Sequence, residues 1–139
     1  MGIVFKNVVK QYPNTASPAV DDVSLTIEEG EFIVFLGPSG CGKPTLLKMV
    51  NRLYDTTSGT IEIDGSDIRL AQPEQLRRGI GYVIQQNGLF PHMTIEANIA
   101  VVPKLLGWND ARIDKRTDEL LEMVHLDPKT FRKRRPNQL

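Results

Sequence analysis

The chain has 139 residues, 40% of them apolar and 24% charged, the balance of an ordinary globular domain. Its 17 Lys and Arg equal its 17 Asp and Glu, which leaves no net positive charge to favour nucleic acid, and no segment reaches the ~18 consecutive apolar residues of a membrane span. The single cysteine, Cys41, excludes an intramolecular disulfide and suits a reducing compartment, and Met1–Lys6 lacks the basic region and long apolar core of a secretory signal.

Taken in chain order, Ile3–Val9 is predicted as a strand. Pro13 to Pro18 is a turn, punctuated by two prolines and small polar residues. Val23, Leu25 and Ile27 alternate with Ser24 and Thr26, the period of a half-buried strand. Phe32–Leu36 is a continuous apolar run and is predicted as a strand buried on both faces. A helix is expected after the Gly-rich segment Gly37–Gly42, with Leu46, Leu47, Val50 and Leu53 on one face.

Thr60–Ile63 is a further strand that enters a hairpin turn at Asp64-Gly65. Pro73–Arg78 is a short helix with Pro at its first turn, and Ile80–Ile84 a short apolar strand. Thr94 is placed to cap a helix through Val102, stopped by Pro103. Asn109–Leu126 is helical, with Ile113, Thr117, Leu120, Leu121 and Val124 sharing a face, and Asp127-Pro128 opens one more short helix. The basic run Arg132–Arg135 reads as a solvated helix end.

Gly37-Pro38-Ser39-Gly40-Cys41-Gly42-Lys43 fits the first seven positions of the phosphate-binding pattern G-x-x-x-x-G-K. Glycines let the backbone curl so that successive N–H groups converge on phosphate oxygens. A following helix N-terminus adds its free N–H groups and dipole, and Lys43 supplies a point charge. The eighth position departs from the pattern. A Ser or Thr hydroxyl ligates Mg²⁺ there, whereas Pro44 has neither a hydroxyl nor an N–H. Pro44 also biases Lys43 away from helical geometry. Thr45 carries a hydroxyl but points about 100° further around the helix, so it is not expected to replace the metal ligand, although it stays among the nucleotide-binding positions.

With these residues in place, almost the whole chain resembles the ATP-binding subunits of ABC transporters. The resemblance implies an α/β P-loop NTPase fold of ABC type, incomplete here: an antiparallel β layer, a partial RecA-like core and the start of a helical subdomain. Residues 1–139 then form the N-terminal part of one nucleotide-binding domain, with the β layer and P-loop core over about 1–90 and the helical subdomain from about 91. It implies ATP and Mg²⁺ as cofactors, the latter weakened by Pro44. Tyr12, in Val9-Lys10-Gln11-Tyr12, becomes the aromatic that stacks on adenine. Ile80-Gly81-Tyr82-Val83-Ile84-Gln85 looks like the strand into the Q-loop, making Gln85, or its neighbour Gln86, the glutamine that reaches Mg²⁺ and the attacking water.

Leu89–Ile95 is similar to the segment that forms part of the groove for the permease's coupling helix. Pro136-Asn137-Gln138-Leu139 resembles the lead-in to the ABC signature Leu-Ser-Gly-Gly-Gln. The catalytic residues are therefore expected beyond Leu139, none lying within the chain. Asn51-Arg52-Leu53, Gly81–Gln86, Gly88–Ile95 and Val102–Trp108 resemble importers of quaternary amines such as glycine betaine, carnitine and choline. The resemblance implies a dimer of ATP-binding subunits, a transmembrane permease and, indirectly, a substrate-binding protein, with the chain on the cytoplasmic side of the membrane. An importer for an amino acid or sugar, another P-loop enzyme such as a small-molecule kinase or GTPase, and a non-catalytic interaction fragment remain alternatives.

Overall fold

The computed structural model describes residues 1–85 and 88–139. They divide into two compact units, Met1–Gly81 and Tyr82–Leu139.

The first unit is built on an antiparallel sheet in the order β2-β1-β3-β4, formed by β1 (Ile3–Lys10), β2 (Val20–Ile27), β3 (Ser58–Ile63) and β4 (Ser66–Asp67). β1 lies in the middle, with Phe5 opposite Leu25 on one side and Ile61 on the other. Strict alternation would put Phe5 and Val8 on opposite faces, yet both are buried. A bulge resolves this. The register shifts between Phe5 and Val8, where Asn7 adopts a positive φ of 47°. Ser24 Oγ and Asp22 Oδ1 each accept a 2.9 Å hydrogen bond from the Asn7 backbone and side chain. The β3–β4 hairpin turns as expected at Asp64 (φ 49°) and Gly65 (φ 76°), the left-handed pair that two-residue hairpins need.

α1 (Lys43–Val50) packs across this sheet. Its buried face is Leu46, Met49 and Val50, set against Phe5, Val8, Val20, Ile61 and Ile68. This corrects the expected face: Leu47 and Leu53 are 46% and 47% exposed. Met49 takes the inward position, and Leu53 falls outside the helix because the chain reverses at Arg52 (φ 49°). The Arg77 guanidinium from α2 (Pro73–Arg78) holds that reversal, donating to the carbonyls of Asn51 (2.9 Å) and Arg52 (2.6 Å).

Phe32–Leu36 and Ile80–Ile84 are not ladder-paired strands, and Phe32 and Leu36 are each 89% exposed. A buried parallel strand exists only through neighbours that take up its N–H and C=O groups, and among the described residues none pairs with either segment. The α/β class stands, but the parallel layer is represented here only by these unpaired runs.

The second unit consists of α3 (Ile95–Leu105), α4 (Asp110–Met123) and α5 (Pro128–Phe131). Thr94, Asn109 and Asp127 cap them, each side chain accepting from a backbone N–H of the first turn. Pro103 lies inside α3 and does not end it at Val102. It forfeits only its own N–H, and Leu106 N–H still closes the last turn on the Val102 carbonyl at 3.0 Å. In α4 the buried stripe is Ile113, Thr117 and Leu121, whereas Val124 lies past the helix end and is 61% exposed.

Arg132 corrects the expectation of a wholly solvated basic run. Its guanidinium bonds Glu96 (3.2 Å), Asp118 (3.0 Å) and Asp114, tying the C-terminal segment to α3 and α4. Hydrogen bonding to Asp114 holds its pKa above the ordinary arginine value, against the opposing effect of burial. Arg132→Leu removes these bonds and leaves three carboxylates facing one another, at a cost of about 1.5–3 kcal/mol. Urea unfolding followed by Trp108, the chain's one tryptophan, checks this. Arg132→Leu should lower the midpoint clearly, and Lys133→Leu on an exposed neighbour should stay within about 0.5 kcal/mol.

Candidate functional site

The site lies at the N-terminal end of α1. Gly42 caps the helix at φ 91°, and a Cβ there would stand 2.1 Å from the Ala19 carbonyl oxygen. The loop therefore ends in close backbone contact with the start of β2, and only glycine allows it. Ala19 N–H donates to Lys10 O at 2.7 Å, so the same contact point is fastened to β1. Loop, helix and sheet thus meet where the core residues Leu46, Met49 and Val20 pack.

Residues Gly37, Pro38, Ser39, Gly40 and Cys41 form the exposed rim. Lys43 is the first residue of α1. Its ammonium donates to the carbonyls of Gly37 (2.7 Å) and Pro38 (2.9 Å) and approaches Cys41 Sγ at 3.3 Å. All three ammonium donors thus point into the loop, and the positive charge sits within the curl. Lys43 is helical despite the following proline, a correction to the expected bias. The packed helix outweighs that local preference. Pro44 occupies the first helical turn, where its ring fits. Lys43 and Thr45 retain backbone N–H groups on either side of it, while position 44 has none.

Thr45 does not turn towards the loop. Its hydroxyl lies 3.4 Å from the Tyr12 hydroxyl. Tyr12 lies two residues past the end of β1 and alongside α1, its ring edge-to-face with Tyr54 at a centroid separation of 5.9 Å. The Lys10 ammonium sits 5.4 Å from the Tyr12 ring, and that of Lys48 5.1 Å from the Tyr54 ring. The structure thus brings together Tyr12, Gly37–Lys43 and Thr45 in the first unit. Tyr54, Lys10 and Lys48 were missed from sequence. Lys48 is three residues from Thr45 on one helix face and Lys10 two from Tyr12, spacings that signal a shared side.

Gln85 is an exposed residue of the second unit, and Gln86 lies outside the described residues. In the same unit Asn98 clamps the 89–95 segment. Its Oδ1 accepts from Phe90 N–H at 2.7 Å, and its Nδ2 donates to the carbonyls of Phe90 (3.1 Å) and Thr94 (2.9 Å). Leu89 and Phe90 remain 42% and 48% exposed.

At the eighth loop position Pro44 has no side-chain oxygen, and the Thr45 hydroxyl lies beside that of Tyr12. No group of three His, Cys, Asp or Glu is placed to hold a metal ion among the described residues. Among them, too, no helix is long and apolar enough to cross a membrane.

Comparison with known proteins gives this geometry a context. The family model for the ABC transporter matches residues 20–139. The osmoprotectant import ATP-binding protein OsmV of Salmonella typhimurium is 51% identical across 99% of this chain and 37% of its own length. The carnitine transport ATP-binding protein OpuCA of Listeria monocytogenes is 50% identical, over 97% of the chain and 34% of that protein. The choline transport ATP-binding protein OpuBA of Bacillus subtilis is also 50% identical, over 99% and 35%. The chain therefore spans little more than a third of the curated relatives it matches. Among solved structures, the dimeric post-hydrolysis state of the ATP-binding cassette MJ0796 bound to ADP and Pi superposes with a TM-score of 0.83 at 33% identity, covering 99% of this chain and 62% of that one.

The backbone contact at Gly42 yields a paired prediction. Gly40 and Gly42 both have positive φ, 84° and 91°, but a Cβ at Gly40 meets nothing within 4 Å. Gly40→Ala should cost about 1 kcal/mol, from strain alone. Gly42→Ala adds a collision with backbone and should cost at least about 2 kcal/mol more. Thermal or urea unfolding of the two variants measures the difference.

Proposed function

Because this chain belongs to the ABC transporter family, we propose that it is the nucleotide-binding part of an ATP-binding subunit that energises an importer. The observation that carries this is the closed loop Gly37–Lys43, seated on a helix N-terminus with Lys43's ammonium inside it. The loop's N–H groups and the helix dipole receive the phosphates. Lys43 exchanges its loop carbonyls for phosphate oxygens and neutralises charge. Tyr12 supplies an aromatic face for the adenine, a contribution of about 1–3 kcal/mol by analogy with base stacking on other proteins. Thr45 supports Tyr12 through its hydroxyl and the phosphates through its N–H. Gln85 belongs to the loop that senses the membrane partner.

Mg²⁺, when bound, would offset the negative charge of the phosphates. This chain's own residues contribute binding and orientation without the P-loop hydroxyl ligand. Within these 139 residues we assign nucleotide binding and no general-base role. The same reading gives the intact protein a second ATP-binding subunit, a permease that docks on Leu89–Ile95, and a location at the cytoplasmic face of the membrane. Leu89 and Phe90, held outward by the Asn98 clamp, are what supports the docking assignment. The names of the relatives at about 50% identity favour glycine betaine, carnitine or choline as the solute.

Position 44 gives the direct test of the site. Pro44→Thr restores an N–H and a hydroxyl, each a charge-assisted contact of about 1.5–3 kcal/mol. Titration of a non-hydrolysable ATP analogue should show tighter binding in the variant, with the larger gain when Mg²⁺ is present. Phosphate release from ATP should stay at the blank in both forms. Equal affinities under all conditions would mean that position 44 does not face the phosphates. The solute assignment is tested in cells that express the intact subunit with its permease and binding protein under osmotic stress. Uptake of at least one of the three quaternary amines should rise. A rise confined to an amino acid or sugar would overturn that assignment and leave the family intact.

A further inference from the structure

We propose that Tyr54 is a positioning residue for nucleotide recognition: it holds the Tyr12 ring in the orientation that separates an adenine nucleotide from bare polyphosphate. The inference rests on the reading of Tyr12 as the base platform and extends it to a residue in a different part of the fold.

Tyr12 needs such a partner. It lies just past the end of β1, and its carbonyl is tied to Thr15 by N–H (3.4 Å) and hydroxyl (2.9 Å) bonds, which fix the backbone and leave the ring free to rotate. The Tyr12–Thr45 hydroxyl approach of 3.4 Å lies at the weak limit of hydrogen bonding and does not lock a ring by itself. The interaction of defined geometry is the one with Tyr54, at 5.9 Å and 89°, within the range that aromatic quadrupoles favour.

Tyr54 is itself held in place. Lys48 Nζ lies 5.1 Å from its ring centroid and 3.5 Å from its hydroxyl. Lys10 Nζ, which donates to the Asp55 carbonyl at 2.6 Å, lies beside both rings, 5.4 Å from Tyr12 and 6.0 Å from Tyr54. Both ammonium groups thus lie within cation–π range of the aromatic pair. Tyr54 remains 37% exposed, so burial alone does not account for a large ring at this surface position. The pair joins the segment after α1 to the end of β1, and Tyr12 meets Thr45 in the first turn of the same helix, beside the loop. Base recognition and phosphate recognition are therefore set by one rigid element.

The test measures the affinities of ATP and of inorganic tripolyphosphate for the chain and three variants, by calorimetry without metal, and reads their ratio. Tyr12→Ala should lower the ratio about tenfold. Tyr54→Leu should lower it about fivefold while tripolyphosphate binding holds. Tyr54→Phe keeps the ring edge and should restore the ratio. A normal ratio in Tyr54→Leu beside a collapsed ratio in Tyr12→Ala overturns the inference alone. Equal loss of both ligands in Tyr54→Leu assigns the residue to the fold and overturns it as well. An unchanged ratio in Tyr12→Ala removes the base-platform reading beneath it. Absence of binding of both ligands to the unsubstituted chain removes the nucleotide reading and the inference with it.

Discussion

The close approach of Gly42 to the Ala19 carbonyl is the constraint on which the rest of the site depends. It fixes where α1 begins relative to β2. From that point, Leu46, Met49 and Val50 run the helix over Phe5, Val8 and Ile61, so its N-terminal end cannot drift without disturbing the core. The loop inherits its position from this packing, and Lys43 closes it through the carbonyls of Gly37 and Pro38. Thr45, one turn position on, then meets Tyr12. The loop, Thr45 and Tyr12 are thereby grouped around a single eight-residue helix on a four-stranded sheet.

That arrangement also explains why Pro44 is compatible with the fold. A first helical turn has no intrahelical acceptor for the N–H that proline lacks, so the helix forms around it. The same N–H is one that an anion would use.

Much of this was legible in the sequence, because local rules and tertiary context agreed there. The glycine and lysine spacing of the loop, the Asp64-Gly65 hairpin, Pro at the start of α2 and the caps Thr94 and Asp127 all follow from single-residue chemistry. Other features depended on distant partners. Period-two reading does not anticipate the Asn7 bulge that turns both Phe5 and Val8 inward. Phe32–Leu36 has the composition of a core strand, but a ladder needs neighbours that composition does not supply. Arg132 looked like one of four solvated cations until α3 and α4 brought Glu96, Asp114 and Asp118 around it. Tyr54 carried no motif, and its place beside Tyr12 exists only in three dimensions.

The central claim is that the Gly37–Lys43 loop, at the N-terminus of α1, is where a nucleotide's phosphates bind. Backbone amide NMR during titration with ADP tests it most directly. The account predicts that the largest shifts fall on the amides of Gly40, Cys41, Gly42, Lys43 and Thr45, with Tyr12 responding in parallel and the amides of α4 unmoved. Shifts centred elsewhere, or no shift at the loop at saturating ADP, would contradict it.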